Sequence, residues 1–210
     1  MAKVKRVLIV CSSSDYYDMF LDKGYEIVTD ITKANLVCFT GGSDVSPSMY
    51  GEEKHPKAYN DMVRDTQEAN VYKECISKNI PMVGVCRGGQ FLNVMNGGKM
   101  YQHVTNHTGN HNMYDVLSSQ TLMCSSTHHQ MMRPSDEGTI LAFAKMGGVR
   151  EHMIGQCVHA NIAPQDSIDP EVVFYKKTQS LCFQPHPEFM SPIYDGLRAY
   201  FFNLLNHCFQ

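Results

Sequence analysis

Apolar residues gather in short runs at residues 4–10, 35–40 and 80–85, each ending in turn formers. Runs of this length without alternation predict strands buried on both faces. Between the second and third runs, Ala69, Val71, Tyr72, Cys75 and Ile76 fall near helical spacing within residues 64–79. Strand, helix, strand is the grammar of a parallel sheet covered by helices, whose ligands collect beyond the carboxyl ends of the strands. After Gly98 the pattern changes to "KMYQHV", "NMYDVLS", "TLMCSS" and "TILAFAKMGG", shorter strands joined by polar turns, and "VVFYKKTQSLCFQ" reads as a hairpin. The closing "DGLRAYFFNLLNHCFQ" carries apolar residues at helical spacing, which predicts a helix packed by one face onto the sheet. The expectation is an α/β fold: a mostly parallel central sheet flanked by helices, with a small antiparallel extension, in a single domain over residues 1–210.

Composition narrows the partners. With 19% charged residues and a formal net charge of -3, the chain has neither a basic nucleic-acid footprint nor an acidic disordered tail. The apolar run near the start is too short for a signal-peptide core or a membrane span, so a cytoplasmic protein without membrane attachment is expected. The eight cysteines are scattered with no CxxC pair, which argues against a zinc-thiolate site or a disulfide scaffold.

One cysteine stands apart. Gly84-Val85-Cys86-Arg87-Gly88 matches the G-x-nucleophile-x-G elbow at a strand-to-helix junction, with cysteine in the place of serine. The sharp turn pushes the central side chain outward and brings the residues two before and two after it too close for a β-carbon, so both are glycine. The free N–H groups of the following helix favour a thiolate at Cys86, and the Arg87 N–H is placed to hold an oxyanion on a carbonyl attacked by the sulfur. A base is spelled in "QPHPEF": flanking prolines make His186 extended, and side chains at i and i+2 of an extended segment share a side, with α-carbons roughly 6.5 to 7 Å apart. Glu188 then orients His186, and His186 serves Cys86.

Two other histidine patterns compete for attention. His103, His107 and His111 recur every four residues, the spacing of metal ligands on a helix face. The intervening Asn106, Gly109 and Asn110 speak against a helix, and no acidic residue lies between them; no metal site and no cofactor are expected. His128 and His129 diverge as neighbours do, which suits pocket lining or a satisfied buried histidine better than ligation. Fourteen methionines read as core filler.

Taken in order along the chain, "FTGGSDVSPSMYGEE", "RDTQE", "GVCRGGQ", "GGKMYQH", "SSTHHQ" and "QPHPE" resemble a class I glutamine amidotransferase-like protein, more closely the γ-glutamyl hydrolase, peptidase C26-like branch. The resemblance covers most of the chain; Pro185 departs from it, standing where such proteins usually have an aromatic residue. It implies a flavodoxin-like fold and cleavage of a γ-glutamyl amide by a Cys86, His186, Glu188 triad through a glutamyl thioester. It also implies an oxyanion hole from the N–H groups of Gly42 and Arg87, and a substrate pocket lined by Gln90, His128, His129 and Gln130. The expected partner is a small γ-glutamyl molecule. Two alternatives remain at this stage: a glutaminase subunit passing ammonia to a separate synthetase or ligase, and a non-catalytic binding protein on the same fold. Self-association is open, as are the roles of Arg64, Asp65 and Glu68.

Overall fold

The computed structural model describes residues 5–11 and 14–209. Met1 to Val4, the basic start and first residue of the opening apolar run, lie outside them. The first half of the chain alternates strand and helix: β1 (Arg6–Val10), α1 (Ser14–Leu21), β2 (Glu26–Ile27), β3 (Leu36–Phe39), α2 (Met62–Lys78), β4 (Met82–Val85) and α3 (Arg87–Met95). Strands dominate the second half: β5 (Lys99–Tyr101), β6 (His103–Val104), β7 (His111–Asp115), β8 (Thr121–Cys124), β9 (Met131–Arg133), β10 (Thr139–Ala144), β11 (Gly148–Ile154), β12 (Cys157–Ala163), β13 (Asp169–Tyr175) and β14 (Ser180–Phe183). Helix α4 (Asp195–Cys208) follows. Among the described residues no helix is long and apolar enough to cross a membrane.

Nine strands form one sheet in the order β2-β1-β3-β4-β14-β13-β10-β7-β8. Its first five strands run parallel; from β14 outward every pairing is antiparallel. The expected extension is therefore continuous with the parallel half. Strands β3, β4 and β14 are buried along their whole length, as their uninterrupted apolar runs require.

Each face of the sheet has its own core. On one, Phe20 of α1 and Leu197, Phe201 and Leu205 of α4 pack with Val7, Val83 and Phe183. On the other, Tyr72 and Cys75 of α2 and Phe91 and Leu92 of α3 pack with Val37, Phe39 and Met82. Helix α2 starts on Asp61, whose carboxylate accepts from the N–H groups of Val63 and Arg64, and ends on Asn79 in the left-handed region. Its buried face is unusual: Asp65 and Glu68 lie fully buried on the same stripe as Tyr72 and Cys75, which demands a buried cation behind them.

The long β11–β12 hairpin, which pairs with β6 in a three-stranded sheet, was not foreseen. Its second strand is exposed over six of seven positions, so it lacks the apolar rhythm that betrays the other strands.

Candidate active site

The elbow forms as the glycines dictate. β4 ends at Val85, α3 begins at Arg87, and Cys86 between them has φ 50° and ψ -112°, a strained backbone of the kind that persists at functional sites. It is fixed from both sides: the Cys86 N–H donates to the Phe183 carbonyl at 2.7 Å, and the Cys86 carbonyl accepts from Gln90 N at 3.0 Å. A β-carbon at Gly84 would lie 2.2 Å from the Gly88 carbonyl carbon, and one at Gly88 would lie 2.1 Å from the Phe39 oxygen. The two glycines thus allow the elbow to close on itself and to press against the end of β3.

His186 arrives three residues beyond the end of the next parallel strand, β14. Its backbone is clamped by Ser125, whose hydroxyl accepts from His186 N at 2.9 Å and donates to its carbonyl at 3.2 Å. The ring stacks on Phe189 with centroids 4.7 Å apart. Nδ1 donates to Glu188 Oε1 at 2.7 Å, the contact that an extended His-x-Glu segment allows, while Nε2 lies 2.9 Å from the Thr127 hydroxyl oxygen. Burial alone would drive the ring neutral. Hydrogen bonds and charge from Cys86 and from Glu188 outweigh it and raise the imidazole to about 10, so the ring carries a proton beside the sulfur. Cys86 and His186 are each 8% exposed: the two meet in a nearly closed space, a hundred residues apart in sequence.

Gly41 stands where these groups converge. A β-carbon on it would come 3.3 Å from the Tyr16 hydroxyl, 3.5 Å from His186 Cε1 and 3.8 Å from Cys86 Cβ. Its N–H donates to the Tyr16 hydroxyl at 3.0 Å; burial first, and then the charge of the nearby Glu188 carboxylate, raise the phenol far above its ordinary value. Tyr16 on α1 therefore links the loop after β3 to the carboxylate that orients His186. Sequence reasoning missed it, because "SDYYD" reads as a polar turn.

The same loop is held from behind by "RDTQE". Arg64 donates from Nη1 to the Gly41 carbonyl and from Nη2 to the Thr40 carbonyl, both at 2.9 Å, and from Nε to Glu68 Oε1 at 2.8 Å. Glu68 and Asp65 also bind the guanidinium of Arg87, the buried cation that α2 requires. Burial, followed by the neighbouring charge of Arg64, lowers Arg87 to about 10 against the pull of Asp65. Asp65 Oδ2 further accepts from Ser46 N at 2.9 Å. One charged lattice thus ties the loop after β3 to the first residue of α3, and the open roles of Arg64, Asp65 and Glu68 become positional ones.

This geometry has relatives. Residues 21–163 match peptidase C26, and over 173 residues the chain is 32% identical to the glutamine amidotransferase-like protein YvdE of Lactococcus lactis, covering 80% of this chain and 72% of YvdE. The chain belongs to the peptidase C26 family. With it comes membership of the class I glutamine amidotransferase-like proteins. Among solved structures, a glutamine amidotransferase of Thermotoga maritima superposes with a TM-score of 0.62 at 16% identity, over 98% of this chain and 85% of that one. PurLQS from Thermotoga maritima gives 0.64 at 13% identity, over 98% and 99%. At such identities the two structures speak for the fold alone.

In this peptidase C26 chain the remaining expected residues scatter. Gln90 is buried, its Nε2 donating to Gln184 Oε1 at 3.1 Å. Gln130 Nε2 donates to the Gln102 carbonyl at 3.1 Å. His129 reaches Asp44 Oδ1 at 3.2 Å, and that hydrogen bond raises its imidazole. His128 points the opposite way into the interior, Nδ1 donating to the Gln130 carbonyl at 2.8 Å; burial holds it neutral, at about 4. Thr127, one residue before the expected pocket residues His128, His129 and Gln130, is the member of "SSTHHQ" that meets His186 Nε2, and sequence reasoning missed it. The loop after β3 is pinned further along, where Asp44 accepts from Tyr59 N at 2.7 Å and donates its own N–H to the Tyr59 carbonyl at 2.8 Å.

Proposed function

We propose that this chain hydrolyses the amide bond at the γ-carboxyl of glutamine or of a γ-glutamyl conjugate. The observation that carries the proposal is a cysteine on a strained strand-to-helix elbow sharing a protonated histidine with a glutamate 2.7 Å from that histidine's far nitrogen. The Cys86 thiolate attacks the γ-carbonyl carbon, and the oxygen that becomes negative is received by the N–H groups of Arg87 and Gly42. Arg87 N, first in α3, has no intrahelical acceptor. With Gly41 N–H already engaged by Tyr16, Gly42 is the next donor along the loop. Paired backbone donors of this kind stabilise a tetrahedral oxyanion by several kcal/mol, roughly 3 to 4 for a single donor.

As the intermediate collapses, the C–N bond breaks and the His186 Nε2 proton passes to the departing amine, leaving a glutamyl thioester on Cys86. His186, now neutral, takes a proton from water as its oxygen attacks the thioester carbonyl. Release of glutamate restores thiolate and imidazolium. Glu188 keeps Nδ1 protonated throughout, and so presents Nε2 to the reacting groups.

The test is glutamate release by the purified chain from glutamine and from a panel of γ-glutamyl amines. Cys86→Ala abolishes it with every substrate; retained turnover would remove Cys86 from its role. Turnover of glutamine seen only when a co-purifying synthetase or ligase is added would favour the ammonia-supplying reading over the stand-alone hydrolase.

A further inference from the structure

Two of the three histidines spaced by four do meet, although not on a helix. His103 goes elsewhere, its ring stacked on His55. His107 lies in the segment after β6, and His111 opens β7. Strand β10 ends at Ala144, where it pairs with Asp169 of β13, and its Phe143 pairs with Tyr114 of β7. β7 therefore reaches three residues further to His111, and the first residues of β13 face it with Glu171. The acidic partner absent from the local sequence is supplied by a strand sixty residues away.

We propose that His107, His111 and Glu171 form a divalent-metal site whose donors suit zinc. One ligand atom from each lies within 4.8 Å of the others, and all three residues are buried. His111 Nε2 is 3.0 Å and His107 Nδ1 is 3.8 Å from Glu171 Oε1. Donors about 2.0 to 2.2 Å from a tetrahedral zinc stand roughly 3.3 to 3.6 Å from each other, so the cluster closes on an ion with sub-ångström shifts of its side chains. Two imidazoles with a carboxylate select zinc over magnesium or calcium, which prefer oxygen.

The surroundings match those of a held metal. His107 turns its other nitrogen, Nε2, to Asp169 Oδ2 at 3.4 Å, the carboxylate-histidine arrangement that orients metal ligands. Asp169 is itself fixed by Arg150 and by Met146 N at 3.0 Å. Four buried polar atoms here have no hydrogen-bond partner: His107 Nδ1, His111 Nδ1, Glu171 Oε2 and His128 Nε2. His128 borders the cluster, its ring centroid 5.1 Å from that of His107. Its Nδ1–H is committed to the Gln130 carbonyl, so it walls the cluster as a neutral ring and the fourth position of the ion is left to water. Binding displaces the proton shared between His111 Nε2 and Glu171, which leaves to solvent as the two metal bonds form.

The full-length chain, stripped with a chelator and dialysed against zinc, is expected to take up one equivalent that the double variant His107→Gln/His111→Gln does not. Bound cobalt should show a tetrahedral visible spectrum without a thiolate charge-transfer band, which separates this site from any cysteine. Asp169→Asn should weaken zinc binding by about 10 to 100-fold while leaving the ligands in place. Wild-type protein that takes up no more zinc than the double variant, or whose cobalt spectrum carries the thiolate band alone, overturns the proposal. The cluster would then be a proton-held histidine-carboxylate pair. If the double variant folds poorly, the wild-type cobalt spectrum decides, and none of these measurements depends on turnover.

Discussion

Gly88→Ala tests the elbow without touching a side chain that does chemistry. The new β-carbon would stand 2.1 Å from the Phe39 carbonyl oxygen and 2.5 Å from its carbon, both backbone, where contacts below 3.0 Å are not tolerated. Either the start of α3 or the end of β3 must retreat by about 0.9 Å. Both retreats do harm: one carries Cys86 and the Arg87 N–H away, and the other drags Thr40, Gly41 and Gly42. A misplacement of about 1 Å costs on the order of 100-fold in rate, and overpacking of this kind destabilises by about 1 to 3 kcal/mol. The assay pairs glutamate release with the rate of Cys86 alkylation by iodoacetamide and with thermal unfolding. Gly196→Ala is the control, since nothing lies within 4 Å of its added carbon; within α4 it should leave turnover unchanged and stabilise by about 0.5 to 1 kcal/mol. A Gly88→Ala protein with wild-type melting and wild-type turnover would refute the steric account of the elbow.

Tyr16→Phe strips the hydroxyl that accepts from Gly41 N–H; a loss of about 1 to 3 kcal/mol of stability is expected, read by urea unfolding, with a fall in kcat larger than any rise in KM. Arg64→Ala frees two loop carbonyls and should lower kcat about 10-fold or more, whereas unchanged steady-state kinetics would show that the loop holds its shape without it. For His186, raised from 6.5 to about 10, the proton is bound more tightly in the folded than in the unfolded chain. Its contribution to stability is complete below about pH 6.5 and is lost as pH rises through 10. The ring Cε1 resonance should titrate near 10 in wild type and at lower pH in Glu188→Gln; a wild-type midpoint near 6.5 would contradict the assigned partners.

How much of this was readable in the chain depended on whether the cause was local. The elbow was legible because a backbone clash is written directly as glycine at 84 and 88, and "PHPE" because an extended segment puts residues two apart on one side. Tyr16 was not: α1 is only eight residues long, and its role depends on what β3 and Glu188 bring to it. The roles of Asp65 and Glu68 stayed open because nothing near them in the chain explains two acids on a helix face; the buried guanidinium of Arg87 that turns them inward lies 22 and 19 residues on. The β11–β12 hairpin escaped because its exposed strand carries no period. His107 and His111 were correctly denied a helix, yet their carboxylate lay across the sheet, where spacing along the chain has nothing to say.

The antiparallel turnover of the sheet at β14 has a mechanical corollary. The ladder between β13 and β14 runs on past its last paired residues, with Gln184 N donating to the Glu171 carbonyl at 2.8 Å, so Glu171 and His186 ride on one two-stranded lever whose only adjustable part is the turn at residues 176–179. Because β14 is also held in register by β4, a residue inserted there would loop out of the turn, whereas a one-residue slip of the ladder itself would turn Glu171 or His186 to the opposite face. Changes of length are therefore absorbed at that turn, while a change of register along β13 and β14 would reach both places at once.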